Sequence, residues 1–207
     1  MSIHDLTRSS ILAENIDFET YLRDYAHLYA EWVDGRVFQM STNSLHNLLV
    51  RFLIAFFDRY LEMTGEGELR HETFVMRVTP TSNGRLPDLL VVRTEHLDRL
   101  HDTLVDGPAD LVIEVVSPES TQRDRGEKFT EYEAGGVQEY WILDPERQET
   151  LFYVLGEDGH YHARRLEPDG TYHSVVLPQL TIQAEILLTE PIPSVSAAVQ
   201  MVDALLK

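Results

Sequence analysis

The stretch from Asp110 to Asp144 does most to limit the folds open to this chain. Its opening run, Leu111 to Val116, is apolar and β-branched and has the length of a buried strand. A single carboxylate, Glu114, interrupts it. Burying a carboxylate is costly unless it is paired or holds a cation, so Glu114 demands a partner. Pro118 and the Ser/Thr cluster around it end the strand. Thr121 and Asp124 have capping-box spacing, which predicts a helix running to about Ala134 and stopping at Gly135-Gly136. Along that helix Asp124, Lys128 and Tyr132 recur every four residues and share one face. A second apolar run, Val137 to Leu143, follows at once. The unit is strand, helix, strand, with parallel strands and a polar helix face aimed at Glu114.

Composition narrows the class. The chain has 207 residues, 43% of them hydrophobic, which suits one globular domain with a sizeable core. No apolar stretch is long enough to span a bilayer, and the N-terminus has no run resembling a signal peptide, so a cytoplasmic location is expected. There is no cysteine, which excludes disulfides and thiolate metal sites. The formal net charge of −18 repels nucleic acid at long range. Contact with nucleic acid would therefore have to use a local basic patch, a metal ion or an oligomeric cleft.

The flanking segments read more simply. Residues 1–17 form an N-terminal arm, and Phe18 to Ala30 has helical spacing. Asp34-Gly35 predicts a tight hairpin between short strands. A longer helix is expected from Leu45 to Met63, with Leu48, Leu49, Phe52, Leu53, Phe56, Phe57 and Tyr60 on its apolar face and glycines 65 and 67 beyond its end. Strands are expected near 70–78, within a run from Glu68 to Thr79, and near 87–92, opening on Pro87-Asp88. Residues 93–109 read as loop with a helical turn at 95–100. A meander follows the central unit, and residues 191–207 hold a C-terminal helix packed on the same domain.

Two buried strands thus present one acid each, Asp88 and Glu114, beside a helix that presents Lys128. Paired carboxylate oxygens suit a hard dication such as Mg²⁺, and a nearby lysine can orient a water or neutralise phosphoryl charge. The same residues also admit a plainer reading, in which Asp88 caps a turn and Glu114 forms an ion pair with Lys128. Asp124 reads as a cap and partner of Lys128, and Tyr132 as a core tyrosine with a bonded hydroxyl. His46 is either a polar neighbour of a helix start or part of the site. His160 and His162 read as surface residues of a hairpin tip, and Arg123, Arg125, Arg164 and Arg165 as solvated surface.

Pro87-Asp88, E-V-V-S-P-E-S (114–120), D-R-G-E-K-F-T-E-Y (124–132) and G-V-Q-E-Y-W-I-L-D-P (136–145), in this order and spacing, resemble the Uma-two family. Those are endonucleases of the PD-(D/E)XK, restriction-endonuclease-like superfamily. The hairpin with Glu31, then Met40-Ser41 and His46, also fits, and the resemblance spans about residues 18–190. It implies an α/β domain with a central mixed sheet flanked by helices, an N-terminal hairpin and a C-terminal β-meander. It also implies Mg²⁺, or Mn²⁺, held by Asp88, Glu114 and the carbonyl of Val115, with Lys128 and Glu31 completing the catalytic set. The superfamily places its lysine two residues after the glutamate, where this chain has Val116; Lys128 is the match from the following helix. DNA is the implied substrate and a homodimer the implied assembly, with the apolar C-terminal segment available between subunits. The competing reading is a weak or inactive nuclease fold serving as an oligomeric scaffold or protein-binding module.

Overall fold

A computed structural model describes residues 11–117 and 123–207. Pro118 and the Thr121 end of the predicted capping box lie outside the described residues. The chain opens with β1 (Ile11–Glu14), α1 (Phe18–Asp24) and the hairpin β2 (Ala30–Val33) and β3 (Arg36–Gln39). Helix α2 (Ser44–Thr64) leads to β4 (Gly67–His71), β5 (Val75–Arg77), β6 (Leu89–Arg93), β7 (Leu104–Asp106) and β8 (Leu111–Val115). One π-helical turn, Arg123–Glu127, runs into α3 (Lys128–Gly135). Then come β9 (Glu139–Asp144), β10 (Glu149–Leu155), β11 (Tyr161–Ala163), β12 (Thr171–His173), β13 (Thr181–Gln183) and α4 (Val195–Leu205).

Six strands form the central sheet, in the order β11-β10-β9-β8-β6-β4. It is mixed, as expected: β8 and β9 are parallel across the α3 crossover, and the other pairs are antiparallel. Alternation along the strands builds two cores. Leu111, Ile113, Val115, Trp141 and Leu143 pack with α2 and α4, while Val112, Val116, Tyr140 and Ile142 pack with Tyr132 of α3. Glu114 falls between Ile113 and Val115, so its side chain emerges on the α3 face. That parity decides where the site lies.

Helix α2 begins where Asn43 caps it, accepting from the backbone N of His46, and stops at Gly65 with φ of 68°. The Asp34-Gly35 turn has φ of 48° and 78°, the pattern a two-residue hairpin needs. Several expectations change; Leu48, placed on the apolar face of α2, is instead exposed. Helix α1 ends at Asp24, not Ala30, because Ala30 enters β2, where its carbonyl accepts the Tyr21 hydroxyl at 2.8 Å. Ile11–Glu14, assigned to the arm, pairs with β3. The strand expected over 68–79 breaks at Thr73, whose φ is 68°, and its second part joins β7 in a separate parallel pair. Strand β7 itself lies in the stretch read as loop. At the far end β10 and β11 extend the sheet, but β12 and β13 form their own two-stranded sheet.

Glu139 ties that end to the core. Its buried carboxylate accepts from Trp141 Nε1, the hydroxyls of Tyr172 and Ser174, and the backbone N of Val175 and Val176, at 2.6 to 2.9 Å. Ala198 and Val202 of α4 are buried in the same core as the apolar face of α2, so that face of the C-terminal helix is already covered within the chain.

Candidate active site

Asp88 precedes β6 by one residue. The β6–β8 register pairs Leu89 with Ile113 and Leu90 with Val112, and one step further Asp88 stands opposite Glu114. Residues directly opposite in an antiparallel pair share a face, so both acids meet on the α3 side. Asp88 Oδ2 accepts from the backbone N of Val115 at 2.7 Å, and Oδ1 lies 3.0 Å from His46 Nε2. His46 comes from the first turn of α2.

Glu114 Oε1 takes two donors, Lys128 Nζ at 3.0 Å and the Tyr132 hydroxyl at 2.9 Å. The helical spacing read from the sequence is the cause: Lys128 and Tyr132 lie one turn apart on α3, and Asp124 one turn earlier reaches Lys128 Nζ at 3.4 Å. Glu31 arrives from the hairpin. Backbone bonds between Trp32 and Gly84 lay β2 alongside the approach to β6, and Glu31 Oε1 reaches Lys128 Nζ at 3.0 Å. Glu31 is buried. Its Oε2 meets Arg85 at 3.2 Å, and Arg85 in turn binds Glu131 and Glu127 of the helical segment.

Electrostatics follow from this crowding. Burial disfavours charge on Glu31, but Lys128 and Arg85 outweigh it and hold its carboxyl at about 2. Burial pushes the Glu114 carboxyl well above its ordinary range; Lys128 opposes the rise, and Asp124, Asp88 and Glu31 add to it. Burial also works against the Lys128 ammonium, yet Glu114, Glu31, Asp124 and Asp88 hold its pKa well above that of a free lysine. For His46 burial is again overcome, here by Asp88, and its pKa is raised. Glu31, Asp88, Glu114 and Asp124 outnumber Lys128 and Arg85, so the site carries excess negative charge that a proton or a cation would relieve. Tyr29, Met40, His46, Asp88, Glu114 and Lys128 line a narrow cleft with about 10 Å³ of free space, room for one water-sized occupant.

The structure brings Asp88, Glu114, Val115, Lys128 and Glu31 together, with Asp124, Tyr132 and His46 against them. It leaves other candidates outside. His160 and His162 pair with Glu133 and Asp158 on the surface, and Arg125 bonds Asp144 and Glu149. Val116, at the superfamily's lysine position, is buried among apolar side chains. Sequence reasoning passed over Arg85, whose only signal is an arginine set directly against the apolar Leu86–Val92 run. It also passed over Glu72. His46, Glu72 and Asp88 present ligand atoms within 4.8 Å of one another, a group able to hold a metal ion.

The family model for Uma2, described as "Putative restriction endonuclease", matches residues 17–185. The chain belongs to the Uma2 family. An uncharacterized protein from Synechocystis sp. is 28% identical over 133 residues, which cover 63% of this chain and 68% of the relative. The crystal structure of a "putative nuclease belonging to DUF820" from Anabaena variabilis has a TM-score of 0.61 and 17% identity, covering 77% of this chain and 89% of that one. At that identity the likeness carries the fold, a restriction-endonuclease-like α/β domain. Uma2 membership brings a nuclease-like function, and none of the described helices is long and apolar enough to cross a membrane.

Proposed function

We propose that this Uma2 protein is a metal-dependent endonuclease that hydrolyses phosphodiester bonds of DNA, with Mg²⁺ as its ion. One observation carries the reading: Lys128, wholly buried, stands 3.0 Å from Glu114 on the sheet face where Asp88 is the opposite residue. A lysine delivered by a helix thus takes the place that Val116 leaves empty of charge. Asp88, Glu114 and the Val115 carbonyl would hold the ion. The donor chemistry fits, since two carboxylates in a site of excess negative charge match a hard dication. Bound Mg²⁺ supplies Lewis acidity and an acidified water.

The protein's own groups do the rest. Lys128 hydrogen-bonds the attacking water and offsets charge that develops on the phosphoryl oxygens. Glu31 and Asp124 hold the ammonium in position, and Tyr132 fixes the Glu114 carboxylate. Arg85 secures Glu31. A homodimer would let two such sites address both strands of a duplex.

Supercoiled plasmid incubated with Mg²⁺ or Mn²⁺ tests this, with wild type beside Asp88→Ala and Lys128→Ala. Wild type nicks or linearises the plasmid, and each variant loses about 10²–10³-fold or more in rate. Equal rates in all three would sink the assignment of the site. The net charge of −18 and the valine at position 116 favour a second reading, a scaffold of the same fold without cleavage activity. Intact plasmid across all metals and salts selects that one.

A further inference from the structure

We infer that His46, Glu72 and Asp88 form a cation position of their own, sharing Asp88 with the proposed Mg²⁺ site but selecting a first-row transition-metal dication. Three observations lead there. The ligand atoms of these residues lie within 4.8 Å of one another. His46 Nε2 stands 3.0 Å from Asp88 Oδ1. Metal–ligand bonds of about 2.1 Å place neighbouring ligands of an octahedron about 3.0 Å apart and opposite ones about 4.2 Å apart, so His46 and Asp88 already have the spacing of neighbouring ligands, and a small side-chain adjustment brings Glu72 into the same shell.

The second observation is unmet bonding capacity. His46 is 3% exposed, and it is Nε2, the nitrogen able to ligate an ion held by Asp88, that faces the carboxylate. Glu72 is half-buried and makes no hydrogen bond or ion pair to any described residue. A buried polar group without a partner is costly, and a cation shared with Asp88 gives the Glu72 carboxylate one.

The third is donor type. Asp88, Glu114 and a backbone carbonyl offer oxygen alone, which suits Mg²⁺ and its waters. An imidazole nitrogen with two carboxylates suits the borderline dications of the first transition row, for which Mg²⁺ competes poorly. One aspartate facing two differently equipped partners can therefore serve two kinds of ion, Glu114 on the sheet and His46 with Glu72 at its margin.

Mn²⁺ added to the whole chain tests this by electron paramagnetic resonance, which counts bound ions and detects nitrogen coupling from a ligated imidazole. Wild type binds Mn²⁺ with ¹⁴N coupling, and a tenfold excess of Mg²⁺ leaves that signal in place. His46→Gln removes the coupling. Glu72→Gln, at a half-exposed position that spares the core, weakens the nitrogen-coupled ion by about tenfold or more. Glu114→Gln keeps it. Bound Mn²⁺ without nitrogen coupling in wild type, or affinity unchanged in Glu72→Gln, overturns the inference. Because the readout is binding, its failure is separable from failure of the nuclease reading. Coupling without plasmid cleavage would sink the nuclease and leave this site, and cleavage without coupling would do the reverse.

Discussion

Glu31 sits in a hairpin strand where no local pattern marks its side chain as turned inward; only the family resemblance singled it out. It is buried because Gly84 bonds Trp32 and brings Arg85 and Leu86 against β2; the Leu86 backbone N donates to Glu31 at 3.3 Å. Its ionised form is thereby tied to folding. The carboxyl titrates near 4.5 when unperturbed and about 2 in the folded protein, so its contribution is fully present above about pH 4.5 and is lost as pH falls toward 2. Glu31→Gln should flatten that part of the stability profile and lower stability at pH 7 by on the order of 3 kcal/mol. Urea unfolding at pH 7, 4 and 3 checks this; an unchanged profile would mean that Lys128 and Arg85 do not depend on Glu31. Lys128 itself was legible from spacing alone, since residues four apart on a helix share a face whatever the fold. Arg85 was not, because its partners are 42 to 54 residues away in sequence.

Among elements, α3 is the one whose placement the site depends on most. It ends at Gly135, where an added Cβ would lie 2.4 Å from Val78 Cβ, so the helix can approach the β5 segment this closely only without a side chain. Gly135→Ala should cost about 1–3 kcal/mol and shift Lys128 relative to Glu114. Val78→Ala in the same chain should recover part of the loss, a coupling that a double-mutant cycle by urea unfolding measures. Simple additivity would show that the close approach carries no strain. The two glycines were read as a helix stop, and Gly136, with φ of 88°, performs that role. The contact with Val78 was invisible, because the segment from Glu68 to Thr79 was read as one continuous strand.

At the scale of the molecule the charge of −18 sets the terms of any meeting with DNA. Two arginines near the site are engaged by carboxylates: Arg85 by Glu31, Glu127 and Glu131, and Arg125 by Asp144 and Glu149. With that net charge, binding is expected to draw on divalent cations. In EDTA at low salt the protein should not retard a short duplex in a gel, and Ca²⁺, which takes oxygen ligands, should restore retardation. Retardation of equal strength in EDTA would point to a basic surface that the ion pairs leave available. Gel mobility with and without the ion decides it.

The chain by itself determined its regular parts. Apolar runs of strand length, a wide apolar helix face, the Asp34-Gly35 turn and the i to i+4 face of α3 act through neighbours in sequence, so local physics was enough to place them. It also marked Glu114 as a group that needed a partner, since charge in an apolar run is costly anywhere, and it put Lys128 on the helix face aimed at that strand. Which partners they found was decided only by the tertiary structure. The antiparallel register of β6 and β8 sets Asp88 across from Glu114, the approach of β2 to Gly84 delivers Glu31, and the break at Thr73 ends the strand beside Glu72. Each of these rests on contacts between distant segments, whose closeness is a property of the packed sheet and not of any window of sequence.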